Sequence, residues 1–232
     1  MIIITGVSSG IGKALAQHYL SNGKNVIGIG RNSSIRHPNF HFKQCDFSNP
    51  SEIESLQFDF ETDGKLTLIN NAGTIGTIGR LSEQPHSDAQ EVITVNTIAP
   101  MLLTHKILRL FPKEKPLTIV NISSGAGKRP VPSWASYCAS KAALDLFSHT
   151  LLEEELEVGR IIKVYCVSPG VVDTKMQETI RSSAASTFSS LQTFINFKEK
   201  GELYTVELVV KKLTNLLKQP YKNEVLYSLR DY

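Results

Sequence analysis

Residues 2–12 read Ile2-Ile3-Ile4-Thr5-Gly6-Val7-Ser8-Ser9-Gly10-Ile11-Gly12, an apolar β-branched run that stops at a glycine-rich turn. Ala14, Leu15, His18 and Tyr19 follow at helical spacing, so the turn joins a strand to a helix. In that setting each glycine has a task. Gly6 permits a turn most residues cannot adopt, Gly10 lets backbone approach a pyrophosphate, and Gly12 lets the helix pack close to the strand. The helix N-terminus then offers unsatisfied N–H groups and partial positive charge to phosphate oxygens, with Ser8, Ser9 and Ile11 in the same cradle. A glycine-rich surface turn without a ligand is the plainer alternative, and the strand-to-helix context disfavours it.

Outward from this turn, short β-branched runs alternate with amphipathic stretches. Strands are predicted at Ile2–Thr5, Asn25–Ile29, His41–Cys45, Leu66–Ile69, Leu117–Ile122 and Ile161–Val167, with Asn223–Tyr227 closing the sheet. Helices are predicted at Ile11–Leu20, Pro50–Leu56, Asp88–Leu110, Trp134–Leu156, Asp173–Ser182 and Thr205–Lys218. Nearly continuous apolar strands separated by helices belong in a parallel sheet covered on both faces. The expected fold is therefore α/β, a Rossmann-type doubly wound sheet in one domain spanning residues 1–232. Only Arg31–Phe40, interrupted by Pro38, separate the second strand from the third, so that crossover is expected to be a loop. The Ser-rich and then aromatic stretch Arg181–Lys200 is expected to form part of a small substrate lobe near residues 173–203.

The 232 residues are 41% hydrophobic and 20% charged, near globular averages, which excludes a disordered or fibrous chain. Net charge is +3, with Lys and Arg scattered rather than gathered into a patch, so nucleic-acid binding is not indicated. Cys45, Cys138 and Cys166 have neither CxxC spacing nor a His-rich neighbourhood, which excludes a zinc site and a disulfide framework and fits a reducing cytoplasm. No signal-peptide pattern and no apolar run approaching about 20 residues is present, so no membrane association is expected. His86, His105 and His149 stand isolated and read as surface or capping residues.

The spacing TGxxxGxG resembles that of the short-chain dehydrogenase/reductase family. Further motifs follow in the family's order: Asn70-Asn71-Ala72-Gly73 after the fourth strand, Asn96 on the next helix, Ser123-Ser124 ending the fifth strand, Tyr137-Cys138-Ala139-Ser140-Lys141 opening a helix, and Pro169-Gly170 after the sixth strand. Tyr137 and Lys141 stand at i and i+4, so both side chains leave one face of one helix. An isolated YxxxK would be solvated surface in most proteins; the surrounding motifs reverse that reading. The resemblance assigns Tyr137 as the proton donor in carbonyl reduction and Lys141 as the holder of the nicotinamide ribose. It also implies that Lys141 and the oxidised nicotinamide move the phenol's pKa down from about 10 toward neutrality. Ser124, thirteen positions before Tyr137, matches the carbonyl-orienting serine, whose hydroxyl would bond a developing oxyanion. Asn96 resembles the helix-kinking asparagine that keeps a water beside the lysine for proton relay; a helix-packing amide is its plainer alternative.

An acidic residue at the end of the second strand accepts the adenosine ribose hydroxyl in NAD-selective enzymes of this type. Gly30 occupies that place here, and Arg31 follows with a guanidinium suited to a phosphate, so NADP(H) is the expected cofactor. The resemblance adds cofactor contacts at Asp46 and Phe47, which would bracket adenine, at Asn70, Ala72 and Gly73, and at Pro169, Gly170, Val172 and Thr174. Three segments, around Trp134-Ala-Ser-Tyr137, Ser168 to Gln177 and Lys198 to Leu203, look like the sepiapterin reductase branch and its bacterial benzil reductase relatives. That finer resemblance implies substrate contacts at Ser124, Trp134, Tyr137 and Asp173. Asp173 either anchors a pterin's amino-pyrimidine or caps the following helix. An NADPH carbonyl reductase acting on an α-dicarbonyl or a pterin side-chain ketone is the leading reading. A dehydrogenase oxidising an unrelated secondary alcohol and a non-catalytic NADP-sensing regulator are its rivals. A homodimer or homotetramer, paired through the two long helices, is the expected assembly.

Overall fold

A computed structural model describes residues 1–60 and 64–232. Seven parallel strands, β1 (Ile2–Thr5), β2 (Val26–Gly30), β3 (Phe40–Gln44), β4 (Leu66–Asn70), β5 (Leu117–Ile122), β6 (Ile162–Ser168) and β7 (Leu226–Ser228), form one sheet in the order β3-β2-β1-β4-β5-β6-β7. The order reverses between β1 and β4, and this switch point is where an open α/β sheet leaves a crevice beyond its strand ends.

Alternation along β1 explains how both faces are buried. Ile3 joins a core with Leu68, Ile119, Leu103, Ile107 and Leu144 on one side. Ile2 and Ile4 join Leu15, Val120, Val209 and Leu213 on the other. The first face is covered by α2 (Pro50–Ser55), α4 (Ala99–Leu110) and α5 (Ala135–Glu157), the second by α1 (Gly10–Ser21) and α8 (Val206–Lys218), while α3 (His86–Ile93) buries Val92 in a third cluster with Trp134 and Phe188. Between β6 and α8 lie α6 (Lys175–Arg181) and α7 (Leu191–Glu199), the helical elements of the stretch expected to form a lobe.

The crossover from β2 to β3 is a loop, as the short Pro-containing segment requires, and β3 is consequently the exposed edge. Most strand ends agree with the sequence pattern to within one or two residues; β7 starts later, because Asn223 takes a left-handed φ of 58° and turns the chain before it pairs. The helix expected over Asp88–Leu110 is divided: a π-helical turn spans Thr94–Ile98 between α3 and α4. Pro100 is the cause. Its ring crowds the carbonyl four residues back, that of Asn96, and supplies no N–H to it, so the ladder widens there.

Candidate active site

At the switch point Gly6 takes φ +73° and Gly10 φ +55°, conformations that L side chains rarely adopt. A Cβ on Gly6 would lie 2.9 Å from the Ala72 Cα, and one on Gly12 would collide with the Gly6 carbonyl and the Asn71 amide. Ser9 is extended ahead of α1, its hydroxyl caps nothing, and the first helical turn holds no acidic residue. The orphan N–H groups therefore face an exposed, anion-compatible cradle. The backbone fits a dinucleotide pyrophosphate.

Thr5 fixes this turn to the next strand. Its hydroxyl accepts hydrogen bonds from Asn71 N and Ala72 N, both at 2.9 Å, while Asn71 Nδ2 donates to the carbonyls of Thr5 (3.0 Å) and Gly6 (3.3 Å). Asn71, rather than the expected Asn70, is the asparagine whose side chain meets the glycine turn. The Asn70 side chain turns inward instead, donating to Asn121 Oδ1 at 2.8 Å and Thr104 Oγ1 at 3.3 Å, so only its backbone borders the crevice. Asn70 is the last residue of β4 and Asn71 the first beyond it, which is why neighbouring asparagines serve different ends.

Beyond the end of β2 the space is open: a Cβ on Gly30 would meet nothing nearer than Gly6 N at 4.0 Å. Arg31 is exposed there. Asp46 accepts from Ser48 N (2.9 Å) and Ser48 Oγ (2.8 Å), and these bonds, with the Arg31 charge as a lesser aid, hold its carboxyl below the usual range. Lys13 reaches the same loop, donating to Ser34 Oγ at 3.0 Å. Phe47 is buried in the core with Ile29 and Cys45, so its ring packs beneath the sheet edge. Across the crevice, Gly170 (φ +86°) follows Pro169, Val172 is bridged to Tyr204, and the Thr174 methyl lies 3.5 Å from a Cβ built on Gly10. Gly10 and Thr174, 164 positions apart in sequence, thus face each other.

Tyr137, Lys141, Ser124 and Asn96 converge at the centre. Tyr137 and Lys141 lie one turn apart on α5, with the ammonium 5.8 Å from the phenol ring centroid and donating to the Ile122 carbonyl at 2.8 Å. Burial raises the Tyr137 pKa, and a hydrogen bond with Ser124 opposes it. The expected lowering is therefore not a property of the protein alone: desolvation outweighs the hydroxyl partner, and Lys141 is spent on Ile122. Burial also lowers Lys141, to about 8. Asn96 is fully buried. Its amide donates to the Thr74 carbonyl (2.8 Å) and Ser140 Oγ (3.0 Å), and its Oδ1 accepts from Thr74 N (2.8 Å). Gly73 completes the group, because a Cβ there would lie 3.3 Å from Asn96 Oδ1 and 3.7 Å from Lys141 Nζ.

An aromatic wall stands over the phenol. Trp134 meets Tyr137 edge-on with ring centroids 5.8 Å apart, stacks on Phe188 at 5.3 Å and touches Phe194 at 5.2 Å. Ser133, at a left-handed φ of 73°, donates to the Thr187 carbonyl at 2.6 Å and so ties the start of α5 to the lobe. Farther out, a cleft of about 640 Å³ lies between the loop at Gly76 to Ile78 and residues Lys175, Glu178, Thr179 and Ser182. Asp173 neither caps α6 nor stands free. Thr174 occupies the cap position without a side-chain bond, while the Asp173 carboxylate is paired with Lys198 and lies 3.5 Å from Arg181. Lys198 is 25 positions away, a partner no local pattern identifies.

The short chain dehydrogenase family model matches residues 1–185. The chain is 33% identical over 240 residues to benzil reductase ((S)-benzoin forming) of Bacillus subtilis, an alignment covering 100% of this chain and 99% of the relative. It is 37% identical over 159 residues to sepiapterin reductase of Xenopus tropicalis, covering 66% of this chain and 58% of that one. A solved structure of 4-hydroxyisoleucine dehydrogenase with NADH superposes with a TM-score of 0.78 at 26% identity, covering 98% of this chain and 95% of that one. The chain therefore belongs to the short-chain dehydrogenase/reductase family and is similar within it to the benzil and sepiapterin reductases.

Proposed function

We propose that this protein is an NADPH-dependent carbonyl reductase whose preferred substrates are vicinal diketones carrying an aryl group. The observation that carries the reading is the placement of a buried, protonated phenol beneath the Trp134, Phe188 and Phe194 wall, with the Ser124 hydroxyl beside it. A flat apolar group fits such a wall, and two hydroxyls then meet its carbonyl oxygen. The nicotinamide, when bound, supplies the hydride. Ser124 holds the carbonyl oxygen in place, Tyr137 delivers the proton to it, and Lys141 with Asn96 keeps the phenol and the ribose site in register.

NADPH rather than NADH is supported by the open position at Gly30 and by two cations, Arg31 and Lys13, at the loop that follows. A pterin side-chain ketone is the second reading, carried by the likeness to sepiapterin reductase. The ion pairs of Asp173 count against it, since a carboxylate already held by Lys198 and Arg181 is a poor anchor for an amino-pyrimidine. The segment from 173 to 203 acts in this reading as the substrate lobe, within a single unit of residues 1–232. NADPH oxidation measured on benzil, an alkyl diketone, sepiapterin and a simple aryl ketone tests both readings. The diaryl substrate should give the highest kcat/KM, and absence of turnover on every ketone would refute the assignment.

A further inference from the structure

Lys141 and Asp145 are the only charged side chains among the described residues that are almost fully buried, at 5% and 7% exposure. They stand one helical turn apart on α5. The Asp145 carboxylate accepts hydrogen bonds from the hydroxyl of Ser123 and, at 3.2 Å, from the thiol of Cys166. Ser123 lies between Ile122, whose carbonyl receives the Lys141 ammonium, and Ser124. Its own N–H donates to the Val167 carbonyl at 2.8 Å. One carboxylate therefore joins α5, the end of β5 and β6 directly beneath the reacting groups.

We propose that Asp145 is a positioning residue of this active site: its buried carboxylate is the counter-charge that keeps Lys141 an ammonium, and its bond to Ser123 holds the strand end that presents Ile122 to Lys141 and Ser124 to the substrate. The inference rests on the reductase reading for the role of Lys141, and for the charges on the burial of both groups one turn apart on α5, without a direct ion pair between them.

An ammonium in so dry a place is costly unless an anion lies near it. The titratable groups facing Lys141 are Tyr137 and Asp145 on its own helix and Cys166 on β6; Asn96, Ser140 and Ile122 face it from the π turn, α5 and β5 without charge. Cys166 is pushed up to about 12 by burial and by Asp145, so it is a neutral thiol wherever Lys141 titrates. Burial raises Tyr137 as well, leaving it a neutral phenol. Cys166 and, after it, Asp145 oppose the burial that brings Lys141 to about 8, and with the Cys166 thiol neutral at that pH the Asp145 carboxylate is the group left to do so.

Two measurements test this. In the first, NADPH affinity is followed by fluorescence from pH 6 to 10. The parent protein should lose affinity as Lys141 deprotonates near pH 8, and Asp145→Asn, which keeps an acceptor for Ser123, should lose it about one pH unit lower. Ser123→Ala, which keeps the charge, should leave that midpoint in place. In the second, melting temperatures are compared across Lys141→Met, Asp145→Asn and the double variant. Lys141→Met strands a buried carboxylate, so adding Asp145→Asn should raise its melting temperature, although Asp145→Asn alone lowers that of the parent. An unshifted midpoint for Asp145→Asn, or additive melting losses, overturns the proposal. Should no protein in the set bind NADPH, the cofactor reading fails while the melting comparison still decides the role of Asp145.

Discussion

Replacing Tyr137 by Phe removes one oxygen from a ring that is otherwise held in place. The ring packs edge-on against Trp134 and within the aromatic cluster of the lobe, and these contacts persist in phenylalanine. The lost hydrogen bond is that with Ser124, worth about 1 kcal/mol net, so the fold should remain cooperative and melt within a few degrees of the parent. Catalysis should fall much further. A positioned general acid contributes about 10²- to 10⁴-fold, or about 3–5 kcal/mol of barrier. The raised pKa keeps the phenol protonated throughout the neutral range, so the loss should be equally large at pH 6 and pH 8. Single-turnover NADPH oxidation on the best ketone measures the chemical step, with NADPH affinity determined on the same samples. A Tyr137→Phe protein that binds NADPH normally and retains more than about a tenth of the parent rate would sink the mechanism.

Cofactor selectivity follows from Gly30 and Arg31. Arg31→Ala should narrow an NADPH preference of about tenfold, about 1.4 kcal/mol, and Gly30→Asp should reverse it, because the position is open and the new carboxylate would repel a 2′-phosphate; equal NADPH and NADH affinities in the parent would refute the assignment. Alkali should unfold the protein. Burial raises Tyr19 and Tyr165 to about 12, so the folded state keeps protons that the unfolded chain releases from about pH 10; their contribution, complete below pH 10, is lost as pH rises toward 12. Urea midpoints at pH 8, 10 and 11 check this, and a midpoint constant over that range contradicts it. Met101 and Leu110 on α4 with Leu146 and Leu156 on α5 are exposed, Leu146 at 69%, so a two-fold pairing of these helices is expected. Light scattering at micromolar concentration should give a mass above the single-chain 25.7 kDa, and Leu146→Glu should lower it.

The sequence by itself determined the fold class, the strand-turn-helix cradle and the pairing of Tyr137 with Lys141. These depend on interactions within a few residues: the twofold alternation of β1, the left-handed turn at Gly6 and Gly10, and the i, i+4 geometry of α5. Even the break at Asn96 was local in origin, since Pro100 four residues later forces it, although the pattern alone read as one continuous helix. Tertiary structure decided which of two adjacent asparagines clamps the glycine turn, because that depends on how Thr5 and Asn71 meet across 66 positions. It also decided the fate of Asp173, whose partners arrive from α6 and α7, and the environment of the phenol, which is set by Trp134, Phe188 and Phe194 closing over it. Lys141 and Asp145 share a helix face that any reader of the sequence could draw. Burial, which depends on every element packed around that face, makes the two charges answer to each other.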